Sequence, residues 1–177
     1  MYPPPVTVAI TSNLPSQPAI SKGLLTSLFT EVRKLGLTCF VDTNGGIPLK
    51  RLPDFVEVSD AFMLDIKAFD NEEHLFITKS KVDVVLENAD YLASINKLFE
   101  IRTVTIAGMD NRTTIDNITK MLSKYIKMGH KIRYKIIKYR KYGVREEYSM
   151  FSAPTDDEME ELKQIAIRNG FEDVIIV

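Results

Sequence analysis

Three short stretches hold residue types that could do chemistry together. The first is Asp42-Thr43-Asn44-Gly45-Gly46, directly after an apolar, β-branched and aromatic run at 38–41. A tight turn accounts for Asn44, Gly45 and Gly46, which tolerate positive φ. It does not account for the carboxylate of Asp42, placed where the chain leaves the core. The second stretch is Asp65-x-Lys67, whose two side chains share one side of an extended backbone. An acid beside an amine suits a zwitterion or a ribose, and it equally suits a plain ion pair. A lysine at a strand end also allows a Schiff-base lyase using Lys67, although Asp65 would favour the charged amine. The third stretch is Lys138-Tyr139-Arg140, after another apolar run.

These stretches matter because of the elements that must carry them. "VTVAI" (6–10) is a short apolar run, followed by a polar, proline-rich loop at 11–21. Leu24, Leu25, Leu28, Phe29, Val32 and Leu35 recur at helical spacing, with Ser21 as N-cap and Gly36 as stop. "LTCFV" then reads as a strand, 49–57 as a short helical turn, and "AFMLDI" (61–66) as a buried strand. Val82, Val85, Ala89, Leu92 and Ile95 mark a helix over 82–96, "IRTVTIAG" (101–108) a strand, and 113–128 a helix. "KIRYKIIKY" (131–139) is a strand, Thr155 opens a helix through a capping box with Glu158, and "VIIV" closes the chain as a strand. Strand and helix alternate about six times, which predicts an α/β fold with parallel pairing, either an open sheet or a barrel. In both, ligands sit at the carboxyl ends of strands, where the three stretches fall.

The bulk composition narrows the partners. The chain has 177 residues, 45% of them hydrophobic, and a net charge of −1, which fits one domain without a general pull toward nucleic acid or acidic membranes. The run 131–145 has seven basic residues and three tyrosines, but 146–161 answers it with seven acids, so a solvated or internally paired surface is expected. Cys39 is the one cysteine, which excludes an internal disulfide and a Cys-x-x-Cys metal site and fits a reduced, cytoplasmic setting. No apolar run reaches the roughly 20 residues of a membrane span. The stretch "MYPPPVTVAI" has no basic region before its apolar run and does not read as a signal peptide. His74 reads as a surface helix residue near a cap at Asp70, and His130 as loop.

In chain order, "GLTCFVDTNGG", "SDAFMLDIKAFDNEEH", "VLENADYL", "IRTVTIAG" and "KIIKYRKYGV" resemble the activating enzymes of glycyl radical enzymes, in the radical S-adenosylmethionine superfamily. The resemblance covers roughly 35–177. It implies a partial, incomplete β/α barrel with mainly parallel strands and amphipathic helices outside, opening on a four-iron, four-sulfur cluster. In the family, the reduced cluster cleaves S-adenosylmethionine, and the resulting radical takes hydrogen from a glycine of a partner glycyl radical enzyme. Carried onto matching positions, Asp42 would receive the methionyl ammonium, Lys67 the methionyl carboxylate, and Asp65 the ribose hydroxyls. Thr43, Met63 and Asp65, with Asp42, would seat a monovalent cation. Arg140 stands where some members place a histidine near the adenosine.

The departures from the family are as informative. Its cluster is held by three cysteines in a Cys-x3-Cys-x2-Cys loop, which this sequence lacks, and mid-strand Cys39 cannot replace them. After "VTV" the family has Ser-Gly-Gly-Glu, where this chain has "AITSNLPSQPAI", and "LFITKSKVD" replaces a Leu-Thr-Gly segment. A chain without cluster ligands cannot make the radical unaided. The expectation is one incomplete domain over 1–177, without the cluster-binding segment and with an altered loop at 11–21. It is a truncated or degenerate activase, or a non-catalytic protein that binds a glycyl radical enzyme. Its open sheet edges would favour self-association.

Overall fold

A computed structural model describes residues 5–10, 22–142 and 150–177. The altered loop at 11–21, the Ser21 cap, and Gly143 and Val144 lie outside the described residues. Thirteen elements follow in order: β1 (Pro5–Ile10), α1 (Lys22–Lys34), β2 (Thr38–Thr43), a 3-10 turn (Leu49–Arg51), α2 (Pro53–Val58), β3 (Ala61–Asp65) and α3 (Asn71–Thr78), then α4 (Asp83–Ser94), β4 (Leu98–Thr105), α5 (Asn111–Lys127), β5 (Arg133–Lys138), α6 (Asp156–Arg168) and β6 (Val174–Ile176). The six strands form one sheet in the order β1-β2-β3-β4-β5-β6, and every pairing is parallel.

That order decides the shape. A parallel connection crosses over with right-handed sense, so strands added always on the same side put their helices on one face. The core shows the consequence. Cys39 and Val41 of β2, Phe62 and Leu64 of β3, Ile101 of β4, and Tyr134 and Ile136 of β5 pack against Phe29, Val85, Leu92, Ile115, Ile118, Leu122 and Leu162 of the helices. The fold is thus α/β, a partial barrel whose helices coat the outside. Among the described residues its other face carries no helix and presents the alternate residues of each strand.

Several helix ends follow from local chemistry. Asp70 accepts from the backbone of Glu72 and Glu73, Asp110 accepts from Thr113, and Thr155 and Glu158 form the expected capping box. The first of these opens an eight-residue helix, α3, at the cap expected from Asp70.

Two burial expectations are corrected. His74 is buried at 3% exposure, because its Nδ1 faces the Ser80 carbonyl at 2.7 Å and the following turn wraps over it. Conversely, Leu24, Leu28 and Leu35 of the α1 region are exposed, since Phe29 fills the narrow face turned to the sheet. Ile95 also falls outside, as α4 stops at Ser94 and the chain turns away.

Candidate functional site

Register builds the open face into rows. Neighbours paired across parallel strands point to the same side of the sheet. Asp42 stands beside Met63, Met63 beside Glu100, and Glu100 beside Arg133. Two residues further toward the carboxyl ends, Asp65 stands beside Arg102, and Arg102 beside Lys135. A register shift at Phe62/Met63 sets β4 in this phase. Phe40 and Phe99, both half-buried, meet edge to face at 5.1 Å.

The charges in these rows are paired into a network. Arg102 is its hub: Nη1 donates to Asp42 Oδ2 at 2.7 Å, Nε to Glu100 Oε1 at 2.6 Å, and Nη2 reaches Met63 Sδ at 2.9 Å. Lys135 Nζ lies 3.1 Å from the same Glu100 oxygen, and Arg133 Nη1 lies 3.7 Å from the other. Burial opposes the Arg102 charge, but the Glu100 and Asp42 carboxylates outweigh it and raise the guanidinium above its ordinary value. Lys67 Nζ donates to Asp65 Oδ2 at 3.0 Å, with both side chains about 30% open to solvent.

The structure therefore brings Asp42, Met63, Asp65 and Lys67 together at the ends of adjacent strands β2 and β3. Thr43 is placed differently. Alternation turns it from Asp42's face, and its hydroxyl accepts from Gly45 N at 3.1 Å. Arg140 is exposed, two residues beyond the end of β5. The residues that the sequence reading missed are Glu100, Arg102, Arg133 and Lys135. Their signal was the alternation Glu100-x-Arg102 and Arg133-x-Lys135 within strands otherwise read for their apolar positions.

The turn after Asp42 is fixed by more than its glycines. Asn88, buried in α4, donates to the carbonyls of Gly45 and Ile47 at 2.8 Å each and accepts from Leu49 N at 2.8 Å. Gly45 has φ +69°, and a Cβ there would stand 2.7 Å from Leu64 Cδ1. Asn44 accepts from Gly46 N at 3.1 Å, closing the turn locally. A cleft of about 400 Å³ also lies between α3, α4 and α5, lined by Asp70, Asp83 and Asp110, whose carboxylates serve local caps and turns.

With this arrangement in hand, comparison with known proteins becomes informative. No family model matches the chain. A Haemophilus influenzae protein bearing the name of a glycyl-radical enzyme activating enzyme is 26% identical over 184 residues, covering 91% of this chain and 69% of the relative. The pyruvate formate-lyase 1-activating enzyme of Escherichia coli is 28% identical over 155 residues, covering 80% of this chain and 61% of that enzyme. This chain is similar in sequence to proteins named as glycyl-radical enzyme activating enzymes. A crystal structure of a domain of the pyruvate-formate lyase-activating enzyme from Bacteroides vulgatus has the same fold, with TM-score 0.76 at 16% identity, covering 95% of this chain and 98% of that domain. The chain thus spans about three fifths to two thirds of the length of these curated relatives and nearly all of the solved domain.

The resemblance implies S-adenosylmethionine and a four-iron, four-sulfur cluster, and the residues here fit the two unequally. Carboxylates and an amine at neighbouring strand ends match the charges of a methionyl group. The cluster is not matched. Cys39 is the single cysteine of the sequence; it is buried at 1% exposure, and burial, with Asp60 beside it, pushes its thiol up, away from the thiolate a cluster needs.

Proposed function

We propose that this chain is the adenosylmethionine-facing and partner-facing portion of a truncated or degenerate activase, acting toward a glycyl radical enzyme. The observation that supports this most is the grouping of Asp42, Asp65 and Lys67 at the carboxyl ends of β2 and β3. In this reading Asp42 receives the methionyl ammonium, Lys67 exchanges part of its bond with Asp65 for the methionyl carboxylate, and Asp65 turns to the ribose hydroxyls. Arg140 lies on the rim toward the adenosine. The radical step is not expected from this chain alone, because nothing in its sequence supplies three thiolates.

Anaerobic reconstitution with iron and sulfide tests the last point. The expected result is no stable cluster; one cluster per chain, seen as broad charge-transfer absorbance that survives desalting, would overturn it.

A second reading is a non-catalytic protein that binds a glycyl radical enzyme. What favours it is that both candidate carboxylates are already paired within the chain, Asp42 with Arg102 and Asp65 with Lys67. It predicts co-purification of a glycyl radical enzyme whether or not adenosylmethionine is present. A Schiff-base lyase gains little support, since Lys67 Nζ is engaged by Asp65. Borohydride trapping with aldehydes should leave Lys67 unmodified.

A further inference from the structure

The family resemblance puts a monovalent cation on Asp42, Thr43, Met63 and Asp65, and this chain already directs a cation of its own to that place. Arg102 offers Nη1 to Asp42 Oδ2 at 2.7 Å and Nη2 to Met63 Sδ at 2.9 Å, so one guanidinium engages the side chains of two of the four residues. A guanidinium carries one positive charge at every accessible pH and spreads it across a plane wide enough to touch both. Its third nitrogen is held from below by Glu100, whose side chain is 2% exposed. The remaining donors are also engaged: the Thr43 hydroxyl accepts from Gly45 N, and Asp65 accepts from Lys67. With Asp42 neutralised by Arg102 and Thr43 turned to the other face, these side chains do not fit an added sodium or potassium ion.

We propose that Arg102 is the built-in monovalent cation of this face, fixed by Glu100 and neutralising Asp42, so that no alkali ion binds there. Two consequences follow for the face itself. Its stability is indifferent to which alkali cation the buffer holds. Removal of the guanidinium leaves Asp42 without its counter-charge, so an alkali ion can bind at that carboxylate. The importance of this for ligand binding rests on the adenosylmethionine reading, but its test involves no adenosylmethionine, so the two stand or fall separately.

The experiment compares thermal unfolding in potassium, sodium and tetramethylammonium chloride at matched ionic strength. The wild-type protein is expected to unfold at the same temperature in all three. Arg102→Ala is expected to gain about 2–4 °C in potassium or sodium over tetramethylammonium, and Arg102→Ala with Asp42→Asn to lose that gain. Sodium NMR line widths give a second readout on the wild-type protein, needed if Arg102→Ala does not fold. Line widths equal to those of Asp42→Asn are expected. Alkali-specific stabilisation or line broadening of the wild type that Asp42→Asn abolishes would overturn the proposal. So would a folded Arg102→Ala protein that responds equally to all three salts.

Discussion

Glu100 organises the open face at the scale of single residues. Its nearly inaccessible carboxylate takes Arg102 and Lys135 on one oxygen and Arg133 near the other. Removing one partner from a buried ion pair leaves the other charge poorly solvated, which costs several kcal/mol. Glu100→Gln keeps the shape without the charge, and it should lower unfolding free energy by about 3 kcal/mol in denaturant titration. A loss below about 0.5 kcal/mol would mean that solvent already screens the network. His74 gives a pH-dependent prediction. Burial pushes its imidazole below the ordinary value of 6.5, so the folded state resists the proton that the unfolded chain accepts. Its contribution is complete above 6.5 and is lost as the pH falls below it toward the depressed folded value. His74→Gln should therefore show a smaller drop in melting temperature than wild type between neutral and mildly acidic buffer. At this scale the sequence made Asp65-x-Lys67 visible, because a spacing of two on a strand fixes a shared face. It hid Arg102, since the pairing of Arg102 with Asp42, sixty residues away, depends on strand register. It also hid the burial of His74, which depends on a turn closing over α3.

At the scale of elements, the turn after β2 is held by α4, a helix that follows the next strand. Asn88 satisfies three backbone groups of the turn at 45–49, all with one side chain. Asn88→Ala would leave those groups partly unpaired and should cost about 3 kcal/mol, read from chemical denaturation. Asn88→Asp, which turns a carboxylate oxygen toward the two carbonyls in a buried site, should cost at least as much. A second cross-element link joins β3, β4 and β5. Thr103 Oγ1 lies 2.8 Å from the Ile66 carbonyl and 2.9 Å from Tyr134 Oη. A carbonyl only accepts, so Thr103 donates to Ile66 and Tyr134 donates to Thr103. Tyr134→Phe then leaves Thr103 satisfied, whereas Thr103→Val strands both neighbours. Thr103→Val should be the more destabilising by about 1–2 kcal/mol, and the reverse order would contradict this bond direction. Most of these elements were legible from periodicity and caps, as the Thr155–Glu158 box and the Asp70 cap show. What periodicity overstated was the buried width of α1, where an apolar spacing at Leu24, Leu28 and Leu35 faces solvent. The turn residues themselves named Asn44 and the glycines, but not Asn88, because a clamp from another element leaves no local pattern.

At the scale of the molecule, strictly sequential strand order is the property that makes everything else follow. It gathers the helices on one face and leaves the charged rows on the other. Among the described residues it also leaves two sheet edges, at β1 and β6, whose backbone groups have no further strand. Concentration-dependent self-association is therefore expected in light scattering, and a monodisperse monomer at every concentration would contradict it. No described helix is long and apolar enough to cross a membrane. The sequence left open sheet and barrel undecided on periodicity alone, and strand order resolved the matter through contacts that no local pattern encodes. The central claim is that the strand ends of β2 and β3 face S-adenosylmethionine. Isothermal titration calorimetry with S-adenosylmethionine, on the wild-type chain and on Asp65→Asn and Lys67→Met, tests it most directly. Measurable one-to-one binding by the wild type, weakened about tenfold or more by each substitution, is the predicted result. Absence of binding by the folded wild-type protein, or binding that neither substitution changes, would contradict it.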